Sequence, residues 1–176
     1  MAWDSGDGVR YELVDGEPRA MAPASVSHGL LQGRLAMLIG NHLERNRPAC
    51  SVVVAPGVTP RLLSSHNVRI PDLAVTCAPI TPSQALLPEP VLLIEILSPS
   101  NQADTWSNVR AYTSITTVEE ILVVHANRTL AEVLRRGPDG LWPGEPAPLT
   151  SGTLELASIG FVLELARLYR PAGSTG

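Results

Sequence analysis

Residues Pro90–Ser100, PVLLIEILSPS, constrain the fold more than any other stretch of the chain. Five apolar residues lead into one carboxylate, Glu95, and two more apolar residues precede a Ser-Pro-Ser break. An unbroken apolar run of this length predicts a strand covered on both faces, because a strand with one wet face alternates apolar and polar residues. A charge on such a strand is costly unless something pairs with it or binds it. Glu95 is therefore either a buried ion-pair partner or a ligand for a cation.

The rest of the chain supplies the layers that such a strand needs. Arg10–Met21 holds two short alternating segments around Asp15-Gly16, a hairpin signal because both turn positions accept positive φ. Val26–Asn46 has Leu31, Leu35, Leu38 and His42 at helical spacing, with Ser25 or Ser27 as cap and Pro48 as stop. His28 lies one turn before Leu31 on the inward stripe. Ser51–Ala55 reads as a strand that Thr59–Leu63 continues, and Val68–Thr76 as a strand made irregular by Pro71, directly before Asp72. After Ser100 a helix is expected through Ile115, with Asp104 as N-cap. Glu120–His125, Thr129–Arg135 and Gly152–Leu156 read as strands, and Phe161–Arg170 as a closing helix. The order predicts an α/β (α+β) domain: a mixed β-sheet flanked by helices, with an N-terminal β-hairpin. One domain over residues 10–170 is expected, with a frayed start (1–9) and a flexible tail (171–176).

Composition narrows the function. All 13 basic residues are arginine, so no mechanism that needs an amine is open to this chain. A net charge of −4 gives no general attraction to polyanions, and nucleic-acid binding would have to use local arginines. Cys50 and Cys77 have neither CxxC spacing nor histidine companions and read as two buried free thiols in a reducing cytosol. The polar, acidic start carries no signal-peptide pattern, and no apolar run is long enough to span a membrane. A cytoplasmic protein is expected.

Asp72 and Glu95 stand out by context. If their strands are neighbours, both acids reach one point at the same end of the sheet. A divalent cation would relieve their repulsion and find the oxygen ligands it prefers. Strand-end acids also form salt bridges or cap backbone amides, so the spacing alone leaves the role open.

Asp72 in RIPDLAV and Glu95 in VLLIEILSPS resemble the PD-(D/E)XK nuclease superfamily. Over residues 10–168 the chain is similar to the bacterial Uma-two family of restriction-endonuclease-like proteins. YELVDGE (Tyr11–Glu17), the Pro-Asp motif, the EILSPS segment and a following helix ending near Tyr112 carry that likeness. The resemblance implies a restriction-endonuclease-like core and a Mg²⁺- or Mn²⁺-dependent endonuclease that hydrolyses DNA phosphodiester bonds. It implies Asp72, Glu95 and the backbone carbonyl of Ile96 as metal ligands. It also points to Glu12, His28 and Asn108 as catalytic candidates. A core-capping role for His28 and a solvated or salt-bridged Glu12 stay open; His42 reads as helix packing.

The superfamily's lysine position holds Leu97, and Asn108 stands where related members carry it on the next helix. Arg110 is two residues further and would not share the face of Asn108. Two other readings follow: a weakened nuclease-fold protein that binds nucleic acid or protein, and a structural dimer whose carboxylates are only salt-bridged to Arg69 or Arg110. A homodimer is expected by analogy with enzymes that cut two strands.

Overall fold

The computed structural model describes residues 9–21, 23–61, 66–99 and 101–169. The expected frayed start (but for Val9) and flexible tail lie outside them. The N-terminal hairpin is β1 (Tyr11–Val14) and β2 (Glu17–Ala20), paired antiparallel. Its turn places Asp15 at φ 53° and Gly16 at φ 90°, the two positive values that an Asp-Gly turn accommodates.

Helix α1 (Val26–Asn46) follows, with Ser25 accepting the His28 N–H at its start. His28, Leu31, Leu35, Ile39 and Leu43 form its buried stripe, while Leu38 and His42 flank it. His42 packs edge-on against Phe161 and bonds the Ile159 carbonyl, a packing role as expected.

The central sheet has six strands in the order β3 (Ser51–Val54), β4 (Leu73–Thr76), β5 (Pro90–Leu97), β6 (Glu120–His125), β7 (Ala131–Arg135) and β8 (Ala147–Leu149). Only β5 and β6 are parallel neighbours, and α2 (Gln102–Tyr112) makes the crossover that this requires. The two faces of β5 serve different layers. Leu92, Ile94 and Ile96 pack with α1, and Leu93 and Leu97 pack with α2. Each of these side chains is at least nine-tenths buried, which contributes about 1.5–3 kcal/mol apiece. Glu95 alternates with Leu93 and Leu97, so it lies on the α2 face.

Several expectations are corrected. The strand expected through Val68–Thr76 is regular only from Leu73. Pro71 interrupts the ladder, and Val68 and Arg69 instead form single bridges to Leu13 and Val58. Part of the expected Thr59–Leu63 strand (62–63) falls outside the described residues, and no strand forms at Thr59–Arg61. Helix α2 begins at Gln102, flanked by Asn101; Asp104 sits in its exposed first turn. Phe161–Arg170 does not form one helix. Phe161–Glu164 alternates buried and exposed residues and pairs as β10 with β9 (Thr153–Leu156), leaving one turn of α3 (Leu165–Leu168). Strand β8 hides in a Pro-rich stretch because it is an edge, where Pro148 costs little.

Cys50 and Cys77 are not free thiols; they form a disulfide. The β3–β4 register pairs Ser51 with Thr76, so its next step brings these two cysteines face to face. Long-range pairing of this kind leaves no local spacing signal, and the reducing-compartment reading loses the support that free thiols gave it. The crosslink closes a separation of 27 residues. In the chain-entropy account such a loop contributes about 3.5 kcal/mol. Urea unfolding with and without reductant should show a loss of about that size; an unchanged midpoint would mean that the bond does not hold the fold together.

Candidate active site

The site is built where the irregular entry to β4 meets the middle of β5. The register that pairs Leu73 with Ile94 brings Asp72 opposite Glu95. The two strands are antiparallel neighbours, the condition under which the sequence expects these acids to meet.

Asp72 is held from several directions. The Ile96 N–H donates to Asp72 Oδ2 at 2.7 Å, and His28 Nε2 donates to Asp72 Oδ1 at 2.7 Å. Gln32, one helical turn after His28, donates to the Asp72 backbone carbonyl at 2.9 Å, as does the Ala55 N–H at 3.0 Å. The first turns of α1 thus clamp the residue that Pro71 has released from the ladder.

Glu95 is buried, and Tyr112 Oη donates to its Oε1 at 2.6 Å. Glu12 reaches in from β1, accepting the Ile70 N–H at 2.7 Å and Asn108 Nδ2 at 3.1 Å on Oε1. Asn108 and Tyr112 are i and i+4 on the buried face of α2, so one helix face serves two carboxylates. Arg110 points to solvent on another face, as does Gln102.

Electrostatics record the crowding. Burial holds the Glu95 carboxyl well above its ordinary range, the charges of Asp72 and Glu12 push it further, and bonds from Tyr112 and Asn108 oppose them. Burial also raises Glu12, against the Ile70 and Asn108 hydrogen bonds and the Arg69 charge. The Tyr112 phenol is raised well above its usual value by burial and then by Glu95 and Glu12. Among the described residues no arginine nitrogen lies within 4.0 Å of a carboxylate oxygen of Asp72 or Glu95; the side chain that meets the Asp72 carboxylate is His28. The contact that would make these acids simple arginine salt bridges is missing.

The structure therefore gathers Asp72, Glu95, Glu12, His28 and Asn108 into one connected region. Ile96 contributes its N–H to Asp72, and its carbonyl has Asn101 Nδ2 at 3.5 Å, a marginal contact. In the sequence Tyr112 serves only to mark a helix end, and Gln32 is not singled out. The signals were present: Tyr112 is one turn beyond Asn108, and Gln32 one turn beyond His28. As a donor set the site fits a hard divalent cation, since its acids offer oxygen ligands whose repulsion a cation would relieve. Among the described residues no three His, Cys, Asp or Glu groups already stand as a ligand shell. His28 and Ile96 occupy one lone pair on each Asp72 oxygen.

This is a restriction-endonuclease-like fold with a buried acidic site on its sheet. The family described as "Uma2: Putative restriction endonuclease" matches residues 1–166, and the chain belongs to that family. It is 28% identical over 172 residues to a protein of Synechocystis sp. (strain ATCC 27184 / PCC 6803 / Kazusa), "Uncharacterized protein slr1290", covering 97% of this chain and 88% of the other. It is also similar in fold to the crystal structure of "a putative nuclease belonging to DUF820" from Anabaena variabilis ATCC 29413. The TM-score is 0.72 at 16% identity, over 90% of this chain and 89% of that one. Among the described residues no helix is long and apolar enough to cross a membrane.

The raised carboxyl of Glu95 gives a pH prediction. Its folded-state pKa lies above its ordinary value of 4.5, so the folded protein holds this proton more tightly than the unfolded chain. That contribution is fully present below about pH 4.5 and is lost as pH rises through the folded-state pKa. Glu95→Gln keeps an acceptor for Tyr112 and removes the charge. In chelator, its stability relative to wild type should rise as pH climbs above about 4.5. Parallel stability curves across pH would show that Glu95 is not strained in this way.

Proposed function

We propose that this protein is a metal-dependent nuclease that hydrolyses phosphodiester bonds of DNA. Asp72, Glu95 and the Ile96 carbonyl would hold Mg²⁺ or Mn²⁺. The observation that carries this reading is the facing pair Asp72 and Glu95, crowded by Glu12 and without an arginine counter-charge. Family membership supports the nuclease class, and the chemistry of the donor set supports the metal. Such a cation, when bound, polarises a phosphodiester and lowers the pKa of a bound water.

The protein's own groups have definable tasks in this reading. His28 and the Ile96 N–H fix the Asp72 carboxylate in place. Tyr112 fixes one oxygen of Glu95. Glu12 is anchored by Ile70 and Asn108 and adds negative charge that favours cation entry. Asn108 would orient water through its amide, together with His28. Calorimetric titration with Mn²⁺ tests the site. Wild type should bind, and Asp72→Ala and Glu95→Ala should each lose detectable binding; equal heats from all three would remove the metal.

One observation favours a second reading, a nuclease-fold binding module with weakened catalysis. Asn108 carries no charge and its amide already serves Glu12, in a chain without lysine. Asn108→Lys separates the two. Metal-dependent DNA cleavage by wild type, reduced in the variant, fits the nuclease; cleavage gained over an inert wild type fits the module.

A further inference from the structure

We propose that Arg69 is the anion-binding arm of this site, placed to take the phosphodiester group of the substrate. The inference rests on the nuclease reading and names the group that would recognise the substrate.

Its placement follows from the backbone. Val68 is bridged to Leu13, with hydrogen bonds in both directions, and Arg69 is bridged to Val58 in the same way. Extending the Leu13–Val68 bridge by one residue sets Arg69 opposite Glu12, whose carboxylate is part of the site. Arg69 also precedes Asp72 by three residues, about 10 Å of extended chain, a span that an arginine side chain covers much of.

The state of the side chain is unusual. Arg69 is 3% exposed, and its Nε has no hydrogen-bond partner. A buried guanidinium is expensive unless its donors are used. A counter-ion for Glu12 would complete a two-pronged pair with it. Here Glu12 Oε1 instead accepts from Ile70 and Asn108, and among the described residues no carboxylate lies within 4.0 Å of Arg69. The Arg69 charge bears on Glu12 through space, which keeps both groups in one region without joining them. A planar fork with an unspent donor beside a cluster of carboxylates suits one ligand class: a phosphate or phosphodiester drawn in alongside a cation. Because the chain lacks lysine, cationic contacts to such a ligand must come from arginine or protonated histidine.

NMR titration with a thymidine dinucleotide, which carries a single phosphodiester, tests the arm. Mn²⁺ binding is measured in parallel on the same proteins. Wild type should bind the dinucleotide, and Arg69→Gln should bind it about tenfold or more weakly, the loss of a charge-assisted hydrogen bond. Arg69→Lys keeps the charge without the fork and should fall between them; it decides the matter should the glutamine variant not fold. Mn²⁺ affinity should be equal or higher in both variants, because a positive charge has been reduced or left unchanged. Equal dinucleotide binding by all folded proteins, or binding by none, overturns the arm. Dinucleotide binding that depends on Arg69 in a protein that binds no Mn²⁺ sinks the nuclease reading while leaving the arm standing.

Discussion

The hydrogen bond from the Ile96 N–H to Asp72 Oδ2 is the contact on which the site depends. It links the irregular end of β4 to the central strand just where β4 begins its regular pairing. Through it a side chain on one strand is fixed by the backbone of the next, at the residue beside Glu95. The separation of the two carboxylates is thereby set by the sheet itself. His28 and Gln32 add the α1 layer to the same residue, so both the sheet and its covering helix converge on Asp72.

The acids are unequal in what supports them. Asp72 is held by a backbone amide and an imidazole, whereas Glu95 relies on a phenol and sits fully within the α2 layer. Burial penalises Glu95 before any neighbour is counted, and Asp72 and Glu12 then add to that penalty. A protein does not ordinarily retain such an arrangement for stability, since a well-packed apolar residue at position 95 would cost nothing of the kind. The arrangement makes physical sense as stored attraction for positive charge.

Much of this was legible in the sequence, for identifiable reasons. The two-sided burial of Pro90–Leu97 follows from an unbroken apolar run, and the Asp15-Gly16 turn from the two residues that tolerate positive φ. The serine cap and the Pro48 stop bracket α1 between Val26 and Asn46, and its helical period names the inward stripe. What escaped was set by long-range register. The Cys50–Cys77 pairing exists only because Ser51 faces Thr76, and no local spacing encodes that. Phe161–Glu164 was misread because four residues alternate too briefly to outweigh the apolar turn of helix that follows. In the site, the five candidates converge, but nothing local names Tyr112 as the partner of Glu95, because an aromatic residue on an apolar helix face is usually core.

The hairpin that carries Glu12 has a consequence of its own. Strand β2 is exposed along its whole length, and the hairpin meets the central region through the Leu13–Val68 bridge, the Gly16 N–H to the His66 carbonyl, and side-chain bonds at Asp15 and Glu12. One of the site's three acids is therefore mounted on the hairpin and held there by Ile70 and Asn108, while the other two are built into the sheet. Anything that neutralises the acids relieves repulsion between the hairpin and the sheet, so charge balance and the seating of the N-terminal hairpin are one equilibrium seen from two sides.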